Sequence, residues 1–399
     1  MRVDLLRLAA VAVLALTCAG CATIRAIELN DRVPGLIKQG RYEDALAITN
    51  EAIEVAPDLF TAYANRANLR AALRDFDGAL ADHETVLRLE PGFLVGHFNY
   101  VMLLSFMRKH DEAVAHSQAL RLDHPDATMP KLTLGVALLH AKHYGEAEES
   151  VARAIREIDA GSNPGEYRNV YGGPKSIRSI AKLNQALCLA NLGRPRAARR
   201  TFAEGSDFYK KLSVRLVRAE VAYLADDTET ALEEFEKIAA EATADERRSL
   251  LWIDGLFLLG KVYLKAGEPE AAKDALEKFV ETNTYEPEAF NNLGVAYEGL
   301  GEPAKAKENY TAAIAIDPEL VTARRSRGTL RLEAGDFDGA VEDFDVALRL
   351  DAPHTETLFK RTVAKYSRSG CREAANDLGA LLVQAPRDER VMELSSRCP

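Results

Sequence analysis

The chain has 399 residues, of which 47% are hydrophobic and 28% charged, and its formal net charge at pH 7 is −10. This composition excludes a disordered chain and allows a sizeable buried core. The acidic balance, with no Lys/Arg-rich stripe evident, argues against a nucleic-acid binder, while the abundance of Leu, Ala, Glu and Arg points to helices.

Residues 1–20 have the pattern of a secretion signal. Arg2 and Arg7 supply positive charge, and Leu8 to Leu16 form an apolar run too short to span a bilayer. Small residues, Ala19 and Gly20, stand directly before Cys21. Ala-Gly-Cys after an apolar segment resembles the lipobox of bacterial lipoproteins, with Cys18 where that family prefers leucine. The resemblance implies cleavage before Cys21 and acylation of its thiol. Several acyl chains at one end give stable anchoring. Ala22, rather than Asp, after the cysteine favours the outer membrane, facing the periplasm. Ordinary secretion with an incidental Cys21 is the alternative. A lipidated tether is expected over 21–25, followed closely by the first helix.

Internal self-similarity governs the rest. Ala45, Ala79, Ala113 and Ala147 are spaced 34 residues apart, as are Ala272, Ala306, Ala340 and Ala374. Twelve residues after an alanine come Pro57, Pro91, Pro125, Pro318 and Pro386. The period, with Ala at position 20 and Pro at position 32 of each unit, resembles the tetratricopeptide repeat. The clearest unit, 287–320, holds Phe290, Leu293, Gly294, Tyr297, Gly301, Ala306, Tyr310, Ala313 and Pro318 at family positions. The resemblance covers nearly the whole chain after the signal. It implies an all-α fold, a right-handed superhelical solenoid of about ten helical hairpins. Repeats 1–4 are expected over 26–161 and repeats 5–10 over 179–388. A Gly/Pro-rich insertion is expected over 160–178 and a tail over 389–399.

Each unit predicts two antiparallel helices meeting near position 15, where Gly40, Gly193, Gly267, Gly301 and Gly335 stand. Close approach needs small residues at positions 8 and 20. A single hairpin cannot cover its apolar face, so stacking makes the core. Positions 7 and 23 are level on the two helices and covary. Arg66, Arg218, Arg327 and Arg361 match Asp82, Glu234, Asp343 and Asp377, whereas Leu134, Leu259 and Leu293 match Ser150, Ala275 and Asn309. These predict structural ion pairs. Arg32 faces Ile48 and is expected to reach solvent.

The insertion carries Tyr167, Arg168, Tyr171, Lys175 and Arg178, which suit either a joint or a partner-binding loop. A shorter interruption, Arg247 to Trp252, is expected to lengthen neighbouring helices. Cys188 is expected in the core. Cys371 and Cys398 are either a disulfide or two separate thiols. Gly255 to Val262 approaches a phosphate-loop pattern but lacks its closing Ser or Thr and a preceding strand. Seven of eight histidines fall between His83 and His143, which suggests a metal site. They lack the His-Glu-x-x-His pattern, and a surface location without metal is expected. The acidic run Asp226 to Glu246 is read as a solvated face or a docking patch.

In the resembling family the first helix of each hairpin lines a concave groove. Asn65, Asn99, Asn184 and Asn292 share position 6, and Asn68 lies at position 9. Amides both donate and accept, so such a ladder suits an extended peptide backbone. Phe98, Met102 and Phe106 are expected to add an apolar patch. The function expected is therefore a scaffold for segments of other proteins, held to the membrane by lipid, with no catalysis, cofactor, metal, nucleic acid or small-molecule substrate. Tetratricopeptide lipoproteins of pilus and secretion assembly are similar in architecture. The rival reading is a periplasmic enzyme or metal-binding protein using 83–143.

Overall fold

The computed structural model describes residues 22–162, 174–206, 212–242 and 250–398. Among them every regular element is an α-helix. The chain divides into two compact units, 1–255 and 256–399. The first holds a helix over residues 22–31 (α1), α2 (Val33–Lys38), α3 (Tyr42–Val55), α4 (Phe60–Ala72), α5 (Phe76–Leu89), α6 (Leu94–Phe106), α7 (His110–Asp123), α8 (Met129–His140), α9 (Tyr144–Asp159), α10 (Pro174–Asn191), α11 (Pro195–Ser206), α12 (Leu212–Leu224) and α13 (Thr228–Glu241). The boundary falls within α14 (Leu250–Ala266). The second unit continues with α15 (Pro269–Val280), α16 (Pro287–Gly299), α17 (Pro303–Ile316), α18 (Val321–Glu333), α19 (Phe337–Leu350), α20 (Thr355–Ser369), α21 (Cys371–Gln384) and α22 (Glu389–Ser396). Within each unit consecutive helices pair as hairpins, α4 with α5 through α12 with α13 and α16 with α17 through α20 with α21, and neighbouring hairpins of a unit pack on one another. We call the first helix of each hairpin A and the second B. Repeat 1 has its A helix broken between α1 and α2, because Pro34 lacks the N–H that would continue it.

Nine of the ten A helices end in one way, with positive φ at position 15, while α20 ends at Gly370 in a different conformation, φ 80° and ψ −165°. Five of the nine are glycines, but Arg74, Arg108, Lys142 and Asp226 hold the same conformation at φ 62–69°. The paired bonds of a Schellman turn close it, as in Asp75 N–H to Arg70 O at 2.8 Å and Arg74 N–H to Ala71 O at 3.1 Å.

All ten position-20 alanines have zero solvent exposure. Their small side chains bring the helices together, and the gap is filled by exchange of volume between positions 8 and 24. Where position 8 is Gly135, Gly260, Gly294 or Gly328, position 24 is Val151, Leu276, Tyr310 or Phe344, and an added Cβ would stand 2.4–2.8 Å from those side chains. Ala67, Ala186 and Ala219 accompany His83, Phe202 and Phe235. Where position 8 is Val33 or Val101, position 24 shrinks to Thr49 or Ser117, each buried with its hydroxyl donating to the position-20 carbonyl.

The matched charges meet. Arg66, Arg327 and Arg361 each grip their carboxylate with two bonds of 2.7–2.9 Å. Arg218 reaches Glu234 at 3.3 Å from a more exposed position. Two further contributors escaped the sequence reading. Position 11 adds a second cation, Arg70, Arg331 or Lys365, to the same carboxylate at 2.9–3.0 Å. Position 25 of the preceding repeat, Asn50, Thr311 or Asp345, accepts from the position-7 guanidinium. Each cluster therefore ties two hairpins. A second tie runs from position 4 to the carbonyl of the preceding repeat's proline: His97 to Pro91 at 2.8 Å, Lys131 to Pro125 at 2.9 Å and Arg324 to Pro318 at 3.2 Å.

Several boundaries differ from expectation. Residues 22–25, expected as tether, are helical. Of the expected insertion, 163–173 lie outside the described residues, with Tyr167, Arg168 and Tyr171 among them. Its end, 174–178, forms the first turns of α10, where Arg178 binds Asp159 at 2.5 Å. The expected tail is mostly α22, whose Val391 and Leu394 cover Leu358, Leu378 and Leu381. A disulfide joins Cys371 at the start of α21 to Cys398 beyond α22, with Cα atoms 5.2 Å apart. α14 begins at Leu250, with Trp252 half-buried. Gly255 to Val262 lies inside α14, so its glycines serve packing: a Cβ on Gly260 would meet Leu276.

Gly294→Ala should lower stability by about 1–2 kcal/mol, although alanine gains about 1 kcal/mol in helix propensity, because the methyl meets the Tyr310 ring. In a Tyr310→Ala background the same change should raise stability, a reversal that paired urea melts would measure. Asp343→Ala should cost about 3–5 kcal/mol by leaving Arg324, Arg327 and Arg331 without their shared carboxylate. Arg218→Ala at the exposed pair should cost about 1 kcal/mol or less.

Candidate functional site

The A helices were expected to display a row of asparagines. Asn65, Asn99, Asn184 and Asn292 are all half-buried and Asn68 is exposed. Their amides are already engaged in part. Asn65 donates to Asn30 across the repeat boundary at 2.9 Å, and Asn30 in turn donates to Thr61. Asn184 donates to the Ile180 carbonyl of its own helix, and Asn292 accepts from Asn291. The row is also interrupted. In repeat 4 position 6 is Thr133, fully buried, its hydroxyl turned back to Met129 O.

That interruption has a wider cause. Eleven of the twelve residues of α8 are buried, so this A helix has no open face. It is enclosed by α7 and α9 of the hairpin stack and by the A helices α6 and α10. The apolar patch expected beside Asn99 is largely consumed in this closure. Phe98 and Met102 pack, with Leu94 and Ile180, against the cluster of Met129, Leu132, Val136 and Ile177. Phe106 is buried and tilts against Phe76, with ring centroids 5.1 Å apart. Phe106 therefore leaves no free apolar surface, and Phe98 and Met102, half-buried, leave only part of one. The apolar residues of α6, α8 and α10 pack largely on one another, a use that periodicity alone does not distinguish from a groove.

The histidines also depart from expectation: they are not simply a surface set. His83 fills the position-24 site of repeat 2 and is 3% exposed. The rings of His97 and His116 stack, with His97 Nδ1 and His116 Nε2 2.8 Å apart. Because His97 Nε2 lies 2.8 Å from the Pro91 carbonyl and must donate there, its Nδ1 accepts from His116. Burial lowers the pKa of His83, His110, His116 and His140 to about 4. Among the described residues no group of three His, Cys, Asp or Glu side chains is placed to hold a metal ion. Cys188 is fully buried, and desolvation pushes its thiol up to about 12, the reverse of what a nucleophile needs. Cys21 lies outside the described residues.

Family comparison agrees with this architecture. Residues 287–320, 254–283, 30–92, 102–163 and 180–204 match family models described as Tetratricopeptide repeat, together a little over half of the chain. Among solved structures the chain is similar to MamA protein at 21% identity, covering 44% of this chain and 92% of that one, with a TM-score of 0.38. It is similar to PilF of Pseudomonas aeruginosa at 16% identity, covering 56% and 98%, with a TM-score of 0.49. YrrB, described as a TPR protein with an unusual peptide-binding site, matches at 18% identity over 49% and 97%, with a TM-score of 0.41. With its 34-residue period, buried position-20 alanines and stacked hairpins, the chain belongs to the tetratricopeptide-repeat family.

Proposed function

We propose that this protein is a non-catalytic scaffold that binds segments of other proteins along its A helices. A lipid on Cys21 would hold it at the bacterial envelope, on the periplasmic side of the outer membrane. Assembly of a pilus or secretion system is the setting this architecture suits. The observation that carries the binding role is the recurrence of half-exposed asparagines at one repeat position. Where α8 closes the A-helix face, a long continuous ligand has no path, so repeats 2 and 3, with Asn65, Asn68 and Asn99, are the favoured binding stretch. An amide that already makes one internal hydrogen bond is held in a fixed orientation, and its other half suits a peptide backbone.

Affinity capture from detergent-solubilised envelopes tests this reading. Asn65→Ala/Asn99→Ala should lose a partner that the wild type recovers, while Asn292→Ala should keep it. Equal recovery by all three proteins would remove the ladder as the site. Labelling with a radioactive fatty acid should mark the wild type and not Cys21→Ser.

The histidine-rich stretch supports a structural role instead of a metal or catalytic one, because His83 and the His97–His116 pair occupy packing and turn-closing positions. Unfolded histidines take up protons as pH falls through about 6.5. In the folded chain His83, His110, His116 and His140 resist protonation until about 4. The stability they contribute is therefore full above pH 6.5 and lost as pH falls toward 4. Urea unfolding followed at Trp252 should show a loss of about 1–2 kcal/mol per buried histidine between pH 7 and pH 5. An unchanged midpoint would contradict the burial, and a midpoint raised by added zinc would favour the metal reading.

A further inference from the structure

Most B helices place a carboxylate in their first turn, such as Asp77 in α5, Glu229 in α13 and Asp338 in α19, where the positive end of the helix dipole favours it. α11 has none. It opens instead with Arg194 and Arg196, followed by Arg199 and Arg200, and all four are exposed. A cation at a helix start opposes the dipole, and like charges three and four residues apart repel. Glu204, four residues beyond Arg200 on the same helix, compensates in part through its charge. Among the described residues none of the four arginines makes an ion pair or side-chain hydrogen bond. The nearby acid on the same helix, Glu204, receives its bond from Lys182 at 2.7 Å. Elsewhere the chain answers its repeat arginines with carboxylates, as at Arg66, Arg327 and Arg361. This basic turn was not apparent in the acidic sequence as a whole, and its cost to folding marks it as serving something outside the chain.

We infer that the start of α11 is a docking surface for a short acidic segment of a partner protein. Guanidinium forks match carboxylates bidentately, and four exposed arginines in seven residues offer several such forks. From Arg194 to Arg200 the helix rises about 9 Å, which roughly three residues of extended chain would cover. Leu192, 38% exposed just before the cluster, gives one apolar contact beside the charges. An extended polyanion, whether membrane surface or nucleic acid, would also meet the remainder of a chain whose net charge is −10, and be repelled. A short acidic segment meets only the patch. The site lies on a B helix and stands independently of the asparagine reading of the A helices.

Fluorescence anisotropy with the full chain tests it. The probe is a labelled octapeptide with four carboxylates and one leucine, and the control is the same peptide with its carboxylates amidated. The acidic probe should bind and weaken as salt rises, while the control should not bind. Arg196→Gln/Arg199→Gln/Arg200→Gln should bind about tenfold less tightly or worse, and Asn65→Ala/Asn99→Ala should bind as wild type does. Because the substitutions remove repulsion, the triple variant should melt at or above the wild-type temperature, which separates lost binding from lost fold. Equal affinity of wild type and triple variant would overturn the inference. So would tighter binding of the wild type to anionic phosphatidylglycerol vesicles or to a single-stranded oligonucleotide than to the peptide.

Discussion

In every hairpin the two helices close over one alanine at position 20, none of whose surface reaches solvent. Glycine there would loosen both helices, and anything larger would hold them apart. In nine repeats a larger residue at one of positions 8 and 24 accompanies a smaller one at the other, while repeat 10 pairs Thr362 with Leu378. Glycine faces Tyr310 or Phe344, alanine accompanies His83 or Phe235, and valine accompanies Thr49 or Ser117. Volume is traded while identity drifts, as close-packed interiors require. This is why His83 stands in a core with no chemistry assigned to it: an imidazole suits the gap that an alanine leaves.

Stacking needs a different device, because a hairpin with a good internal seam still has two bare flanks. The position-7 arginine supplies part of it. A buried pair between Arg327 and Asp343 does little beyond offsetting its own desolvation. Its value lies in direction. The third arm of the guanidinium reaches Thr311 of the preceding repeat, as Arg66 reaches Asn50 and Arg361 reaches Asp345. A planar fork with donors on three sides can hold one carboxylate and still cross a boundary, which a lysine could not do with the same geometry. The position-4 contact with the preceding proline carbonyl adds register, since only a neighbour in the correct phase brings His97, Lys131 or Arg324 within reach.

Much of this was legible in the chain itself. The 34-residue period located the hairpins, and the covariation of positions 7 and 23 located the ion pairs, because both arise from contacts inside one repeat. Contacts between repeats were harder to read. The pairing of position 25 with position 7 runs backward across a boundary and accepts Asn, Thr or Asp, so no single residue type announces it. The left-handed turn was legible only where glycine marks it. Arg74, Arg108, Lys142 and Asp226 adopt the conformation because two backbone hydrogen bonds hold it, and their side chains leave no trace of it in the sequence. The apolar residues of α6 were misassigned for a related reason. Phe98 and Met102 lie on the face a groove would use, but they pack in part against residues of α8 and α10, and contacts of that kind cross repeat boundaries.

The difference between residues the fold needs and residues it merely tolerates bears directly on function. Asn65 and Asn184 help the structure a little, through one hydrogen bond each, so their presence alone says little about ligands. Their recurrence at one position is the stronger fact. The arginines of α11 stand differently: the helix dipole and their mutual repulsion both disfavour them, and beyond the charge of Glu204 near Arg200 no ion pair among the described residues answers them. A repeat protein has ten chances to place a carboxylate at the start of a B helix and takes most of them. Where it places arginines instead, the local cost has to be offset by something outside the hairpin. Departures from a repeat's own internal rule therefore locate interaction surfaces better than its regularities do, because the regularities are already accounted for by packing.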